Sequence, residues 1–265
     1  FILFFLILFI INNLNKKIMN IIVCISSVPD TTSKIKFNEK SEFDSNGIQF
    51  IINPYDEFGL TKAVKIKENL GGTITVVTVG DVASEPVIRK ALAIGADKAV
   101  RINVNPKDSF ETASLLSKYV KEIEYDIIIA GRESIDYNGS AVPCMIAEIL
   151  DIPFINACIG LDLNDKTANL VREIDGGKEF ISSPLPLIIG GQKGLVEESE
   201  LLIPNMRGIM QSRSKPLEII EPENIANRVQ SISLESPPEK KECKLVEEGN
   251  VKELITLLQK EAKVI

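Results

Sequence analysis

Four short strand-type runs, at residues 20–26, 73–79, 98–103 and 126–130, alternate with segments that carry helix start and stop signals. Strands spaced by helices in this way join through right-handed crossovers. The pattern therefore predicts an α/β, Rossmann-like, mostly parallel sheet with helices on both faces. Ligands of such sheets lie beyond the carboxyl ends of the strands. Here those ends are the segments 26–29, 79–81 and 131–140.

The connecting segments fit that plan. Residues 34–50 alternate weakly around Asn46-Gly47, a hairpin-type turn, and read as a small β excursion. A helix is then expected with Asn53 as cap, Pro54 at its first position and Asp56 and Glu57 where the helix dipole favours acids; Gly71-Gly72 ends it. A second helix opens at Ser84-Glu85-Pro86 and closes at Gly95, and a third covers 109–123. The fourth run delivers the loop 131–140 to a helical pattern ending near Leu150, a strand–loop–helix suited to an anion at the helix start.

Beyond residue 155 the pattern changes. Segments 157–163, 168–173 and 179–182 alternate as paired strands with a turn at Asp175-Gly176-Gly177, and the excursion returns through 186–190. Residues 192–216 show little apolar periodicity and read as an irregular loop, which in proteins of this kind is functional or disordered. Residues 231–241 form a polar, Pro-containing linker before a short amphipathic helix at 251–262. The expected organisation is an extension at 1–18, an α/β nucleotide-binding-like domain at 19–230 with a protruding loop at 195–216, and a linker and helix at 231–265.

Residues 1–11 are almost wholly apolar, about half the length of a membrane helix, and the nearby charges, Lys16 and Lys17, follow the run rather than precede it. We read 1–18 as an upstream extension ahead of Met19, with an interfacial anchor as the competing reading; no stable membrane insertion is expected.

The chemistry is constrained by what is missing. There is no histidine, which removes the commonest general base, the usual zinc ligand and any serine–histidine triad. The four cysteines form no C-x-x-C pair, and a net charge of -7 without a basic stripe argues against a nucleic-acid surface. Neither G-x-G-x-x-G after the first strand nor G-x-x-x-x-G-K-S/T is present. Glu133 with Asp136 could form a carboxylate pair, but solvated loop carboxylates explain them as well. Cys24, inside an apolar run, reads as a packing residue. Leu202, Ile203, Met206, Ile209 and Met210, set among Arg207, Arg213 and Lys215, either form an adaptable docking surface or pack on the sheet.

Several ordered motifs carry a resemblance. NIIVCIS at 20–26, NPYDEFGLTKAVKIKE at 53–68, IRKALAIGAD at 88–97, the stretch 126–148, REIDGGKE at 172–179 and IPNMRGIMQSRSKPLEIIEP at 203–222 together make residues 19–265 similar to the β subunits of electron-transfer flavoproteins. The resemblance implies a heterodimer with an α subunit that holds the redox-active FAD, and an AMP serving a structural role in this subunit. It further implies electron transfer from acyl-CoA dehydrogenases or similar flavin dehydrogenases to a quinone oxidoreductase, without catalytic residues in this chain. The setting would be the bacterial cytoplasm, or the mitochondrial matrix in a eukaryote.

Carried over by position, the AMP pocket would use Cys24, Asn53, Pro54, Tyr55, Asp56, Val76, Gly131, Asp136, Asn138, Gly139, Ser140, Ala141 and Val142, with Tyr55 towards the α-subunit flavin. Leu202, Ile203, Pro204, Asn205, Met206, Ile209 and Met210 would form the partner-recognition loop, with Ile203 as the anchor. The chain departs from the family where many members have a Gln-Thr-Gly-Gln-like run. Here Ala141-Val142-Pro143-Cys144 lacks a hydroxyl donor, and Pro143 has no N–H. Asp136 and Val142 match in part the pattern of electron-bifurcating members that bind a second FAD in this subunit. Outside the family, a universal-stress-like adenine nucleotide-binding protein shares the sheet architecture but leaves 203–222 unexplained.

Overall fold

The computed structural model describes residues 18–38, 42–164, 166–238 and 243–265, so most of the amino-terminal extension lies outside the described residues. The described residues fall into two units, one within Phe1–Lys34 and Ser45–Ile232, the other of Ile35–Asp44 and Ser233–Ile265.

The first unit is built on a sheet whose strands run β1 (Met19–Cys24), β4 (Gly72–Val79), β5 (Lys98–Ile102), β6 (Ile127–Gly131), β7 (Phe154–Asn164), β8 (Thr167–Ile174), β9 (Gly177–Pro184), β10 (Leu187–Gly191) and β11 (Leu217–Ile220) in chain order. Two three-residue strands, β2 (Ser27–Pro29) and β3 (Phe50–Ile52), form a separate antiparallel ribbon. Residues 27–29, expected as a plain loop, are thus half of a ladder. Its register sets Ser27 opposite Ile52, directly before the first helix.

The large sheet has the order β11-β5-β4-β1-β6-β10-β7-β8-β9. All pairs from β11 through β7 are parallel, and β7, β8 and β9 are antiparallel. From β1 the chain moves outward to β4 and β5, then returns to the other side of β1 with β6. That reversal opens a crevice between the carboxyl ends of β1 and β6.

Side-chain alternation explains why helices cover both faces. Ile21 and Val23 of β1, Ile74 and Val76 of β4, and Ile127 and Ile129 of β6 join one core with helices α1 (Pro54–Leu70) and α2 (Glu85–Ile94). Ile22 and Cys24, Val77, and Ile128 and Ala130 point the other way, onto α3 (Ser109–Lys121) and α4 (Val142–Leu150). Ile21, Ile74, Ile127 and Ile128 are essentially inaccessible to solvent. Each such side chain contributes roughly 1.5–3 kcal/mol of transfer free energy.

The expected helices all form, and two further elements were not anticipated. A seven-residue helix, α5 (Met206–Ser212), occupies the middle of the irregular loop, and β11 adds an edge strand beside β5. The second unit carries an isolated bridge between Phe37 and Phe43 and the carboxyl-terminal helix α6 (Val251–Leu257), which continues as a wider turn through Ala262. Among the described residues, no helix is long and apolar enough to cross a membrane.

Candidate functional site

The crevice at the ends of β1 and β6 is closed from below by the start of α1. Asn53, Pro54, Tyr55 and Asp56 arrive there because β3 pairs with β2 immediately beyond β1, and Asn53 N–H donates to the Ser26 carbonyl at 3.0 Å. Asn53 takes the cap position, but its side chain does not cap. Nδ2 donates instead to the Glu133 carbonyl at 2.9 Å, and Oδ1 accepts from Ile135 N–H at 3.2 Å, so a residue expected to serve its own helix ties that helix to the loop after β6.

Asp56 makes the second tie. Its Oδ2 accepts from Ser26 N–H at 2.7 Å and its Oδ1 from Gly131 N–H at 2.8 Å, joining the ends of β1 and β6 through one carboxyl group. The side chain is buried, and burial pushes the carboxyl up to about 7. The Ser26 N–H, Asn53 and the Gly131 N–H pull it down, while the charge of Asp136 adds to the rise. Cys24 lies beside it, buried, with its thiol pushed up to about 12 by desolvation and then by the Asp56 charge. A thiol so held is inert as a nucleophile, in line with a packing role. Gly131 permits the approach: a Cβ there would stand 2.3 Å from Asp56 Oδ1 and 2.8 Å from the Tyr55 Cβ.

Above this floor the loop 132–140 turns back on itself. Asn138 N–H donates to the Ser134 carbonyl at 2.8 Å, and the Ser140 hydroxyl donates to Glu133 Oε2 at 2.7 Å. Asn138 and Ser140 both hold positive φ, 50° and 47°, a conformation that non-glycine residues adopt at a cost. Asp136, Asn138 and Gly139 are exposed, and Ser140, Ala141 and Val142 are half-buried. The loop ends at Ala141, the cap position of α4, where no side-chain hydrogen bond caps the helix. The first-turn N–H groups of such a helix start favour an anion. Val76, by contrast, pairs with Val23 mid-strand and is fully buried in the core beneath α1 and α2, away from the polar mouth.

Sequence reasoning missed the neighbours of Tyr55. The Arg132 guanidinium lies over the Tyr55 ring at 5.9 Å from its centroid, and Arg132 Nη1 donates to Gln192 Oε1 at 3.0 Å. Gln192 in turn donates to Glu173. The one available signal was the position of Arg132 and Gln192 directly after the β6 and β10 ends.

The second candidate region is the loop around α5. Ile203, Met206 and Met210 are 85%, 74% and 70% exposed, and Leu202 and Ile209 are also exposed. Packing of these apolar side chains on the sheet is thereby replaced by outward display. Asn205 caps α5 by accepting from Gly208 N–H at 2.8 Å, and Pro204 is half-buried.

A family model for the electron transfer flavoprotein domain matches residues 42–224. The chain belongs to the electron transfer flavoprotein family. It is similar to the electron transfer flavoprotein subunit beta of Bacillus subtilis, with 37% identity over 261 residues that cover 93% of this chain and 100% of that one. The subunit beta of Syntrophomonas wolfei is 33% identical over 84% of this chain and 87% of that protein. That of Homo sapiens is 27% identical over 84% and 90%. The flavoprotein domain match contains Asn53 to Asp56, the loop after β6 and the exposed loop around α5, so both candidate regions belong to the part shared with the family. Membership associates the chain with flavin-dependent electron transfer.

Proposed function

We propose that the chain is the β subunit of a heterodimeric electron-transfer flavoprotein, that its crevice holds AMP as a structural nucleotide, and that its exposed loop docks flavin dehydrogenases of the acyl-CoA type. The observation that carries the nucleotide reading is the uncapped start of α4, which follows two residues of positive φ and faces the crevice floored by Asn53 and Asp56. A phosphate there would meet the backbone N–H groups of Val142 and Cys144, while Pro143 removes one further donor and the Ser140 hydroxyl is already given to Glu133.

The residues fit a retained nucleotide better than a turnover substrate. Cys24 is held as an inert thiol, Asp56 is engaged with two backbone donors, and Ser140 is bonded to Glu133. The FAD of the α subunit would supply the electron chemistry. This chain would hold the partner, with Tyr55 and Arg132 on the side turned towards the flavin, and the electrons would pass on to a quinone oxidoreductase. The setting we propose is the bacterial cytoplasm, or the mitochondrial matrix in a eukaryote.

Co-expression with the α subunit, followed by acid release and chromatographic identification of bound nucleotides, tests the reading. One FAD and one AMP per heterodimer is the expected result. Two FAD would replace it with an electron-bifurcating subunit, and failure to form any heterodimer would reject both.

A further inference from the structure

The exposed loop around α5 is fastened at the rear by a reciprocal exchange of cations and helix ends. Lys215 Nζ, just beyond α5, donates to the Leu92 and Ala96 carbonyls at the end of α2, at 2.8 and 2.6 Å. Arg89, within α2, returns the contact: its Nη1 donates to the Ser212 and Lys215 carbonyls at the end of α5, at 2.8 and 3.0 Å. Each helix thus has its free carbonyls satisfied by a charge carried on or beside the other, where the macrodipoles favour cations. Gly208 brings the two backbones together, since a Cβ there would stand 2.4 Å from the Ala93 carbonyl oxygen. A further tie lies on the other side of Ile203, where Leu202 N–H donates to the buried Thr61 hydroxyl of α1 at 3.3 Å.

Ile203 therefore projects between two fixed points. A loop with outward apolar side chains has little burial of its own to order it, and in the free state would sample many conformations. Interface affinity is lost when such a segment must be ordered on binding, and pre-organisation removes that cost.

We infer that Arg89 and Lys215 are positioning residues that act through α5, holding Ile203, Met206 and Met210 in their binding arrangement before a partner dehydrogenase arrives. The inference rests on the docking role proposed above and adds the device that sets its strength. Neither Arg89 nor Lys215 needs to touch the partner.

The test uses the co-expressed heterodimer carrying parent chain, Arg89→Gln, Lys215→Met, Ile203→Ala, or each latch variant combined with Ile203→Ala. Titration against a purified acyl-CoA dehydrogenase gives Kd and KM, and limited trypsin digestion reads the exposed Arg207 and Arg213 directly. The expected result is about a tenfold rise in Kd for each latch variant. Arg89→Gln should change KM and not kcat, and both variants should be cleaved faster after Arg207 and Arg213. With Ile203 already truncated, losing the latch should weaken docking little further, a non-additivity that general destabilisation would not produce. If Ile203→Ala weakens docking while both latch variants bind like the parent, the inference is overturned. If Ile203→Ala has no effect, the docking role itself fails. Unchanged trypsin cleavage in both variants then overturns the latch as well.

Discussion

The crevice and the α5 loop use polar side chains for opposite ends. In the crevice, Asn53 and Asp56 are buried and spend their side-chain hydrogen bonds on backbone N–H and C=O groups of two separate segments, Ser26 and residues 131–135, so the polar chemistry faces inward and fixes the walls of the crevice. At the loop, Arg89 and Lys215 sit behind the helix and the apolar side chains face out. The difference separates buried polar groups that tie backbone segments together from apolar side chains displayed to solvent, and the two roles proposed above, a retained nucleotide and a docked protein, follow that division. It also predicts that perturbing the crevice should alter stability and pH response, whereas perturbing the loop should alter association.

The largest effect belongs to Asp56. Its carboxyl is raised from 3.8 to about 7 by burial, so the folded chain binds a proton more tightly than the unfolded one. The stability from this group is fully present below about pH 4 and is lost as pH rises through 7, a span on the order of 4 kcal/mol. Urea unfolding across that range should show parent stability falling relative to Asp56→Asn, which has no such proton to lose; parallel profiles would remove Asp56 from this role. Next comes Gly131→Val, which forces a side chain against Asp56 and Tyr55 and should cost about 3 kcal/mol in the same measurement. A cost near zero would mean that the crevice floor is slack.

At the loop the expected changes are smaller and of another kind. Ile203→Ala should weaken dehydrogenase docking by roughly 2 kcal/mol with flavin content unchanged, and unaltered transfer kinetics would exclude it as an anchor. Asn205→Ala should loosen α5 by about 1 kcal/mol. Faster amide exchange at Gly208 and Ile209, without change at Gly131, would locate that effect in the loop alone.

The central parallel strands β1, β6 and β10 were readable because they are buried on both faces and so are written as almost uninterrupted apolar runs. The strand β11 was not, because it is four residues at an edge, with Glu218 and Ile219 exposed, and it leaves almost no burial pattern. The helix α5 escaped for a related reason: its apolar residues face solvent, and its buried member is Ser212, so a search for an apolar face finds none. The site was partly readable. Asp56 fits the rule for acids in a first helical turn, and that rule accounts for its residue type without revealing that its partners are Ser26 and Gly131. Asn53 carries a genuine cap signal, yet both polar atoms of its side chain bond the backbone of residues 133–135 instead.

The Asp56 clamp also orders events during synthesis. Its two hydrogen bonds span 30 and 75 residues of sequence, and contacts so unequal in separation carry unequal loop-closure costs. The link to Ser26 can form once α1 has emerged, but the second oxygen finds its donor only after Gly131 has been translated and β6 has docked beside β1. Until then the nascent chain holds a half-satisfied carboxyl group and an open sheet edge. The floor of the crevice is therefore completed late, in one step, and a chain interrupted before β6 has no partial version of it.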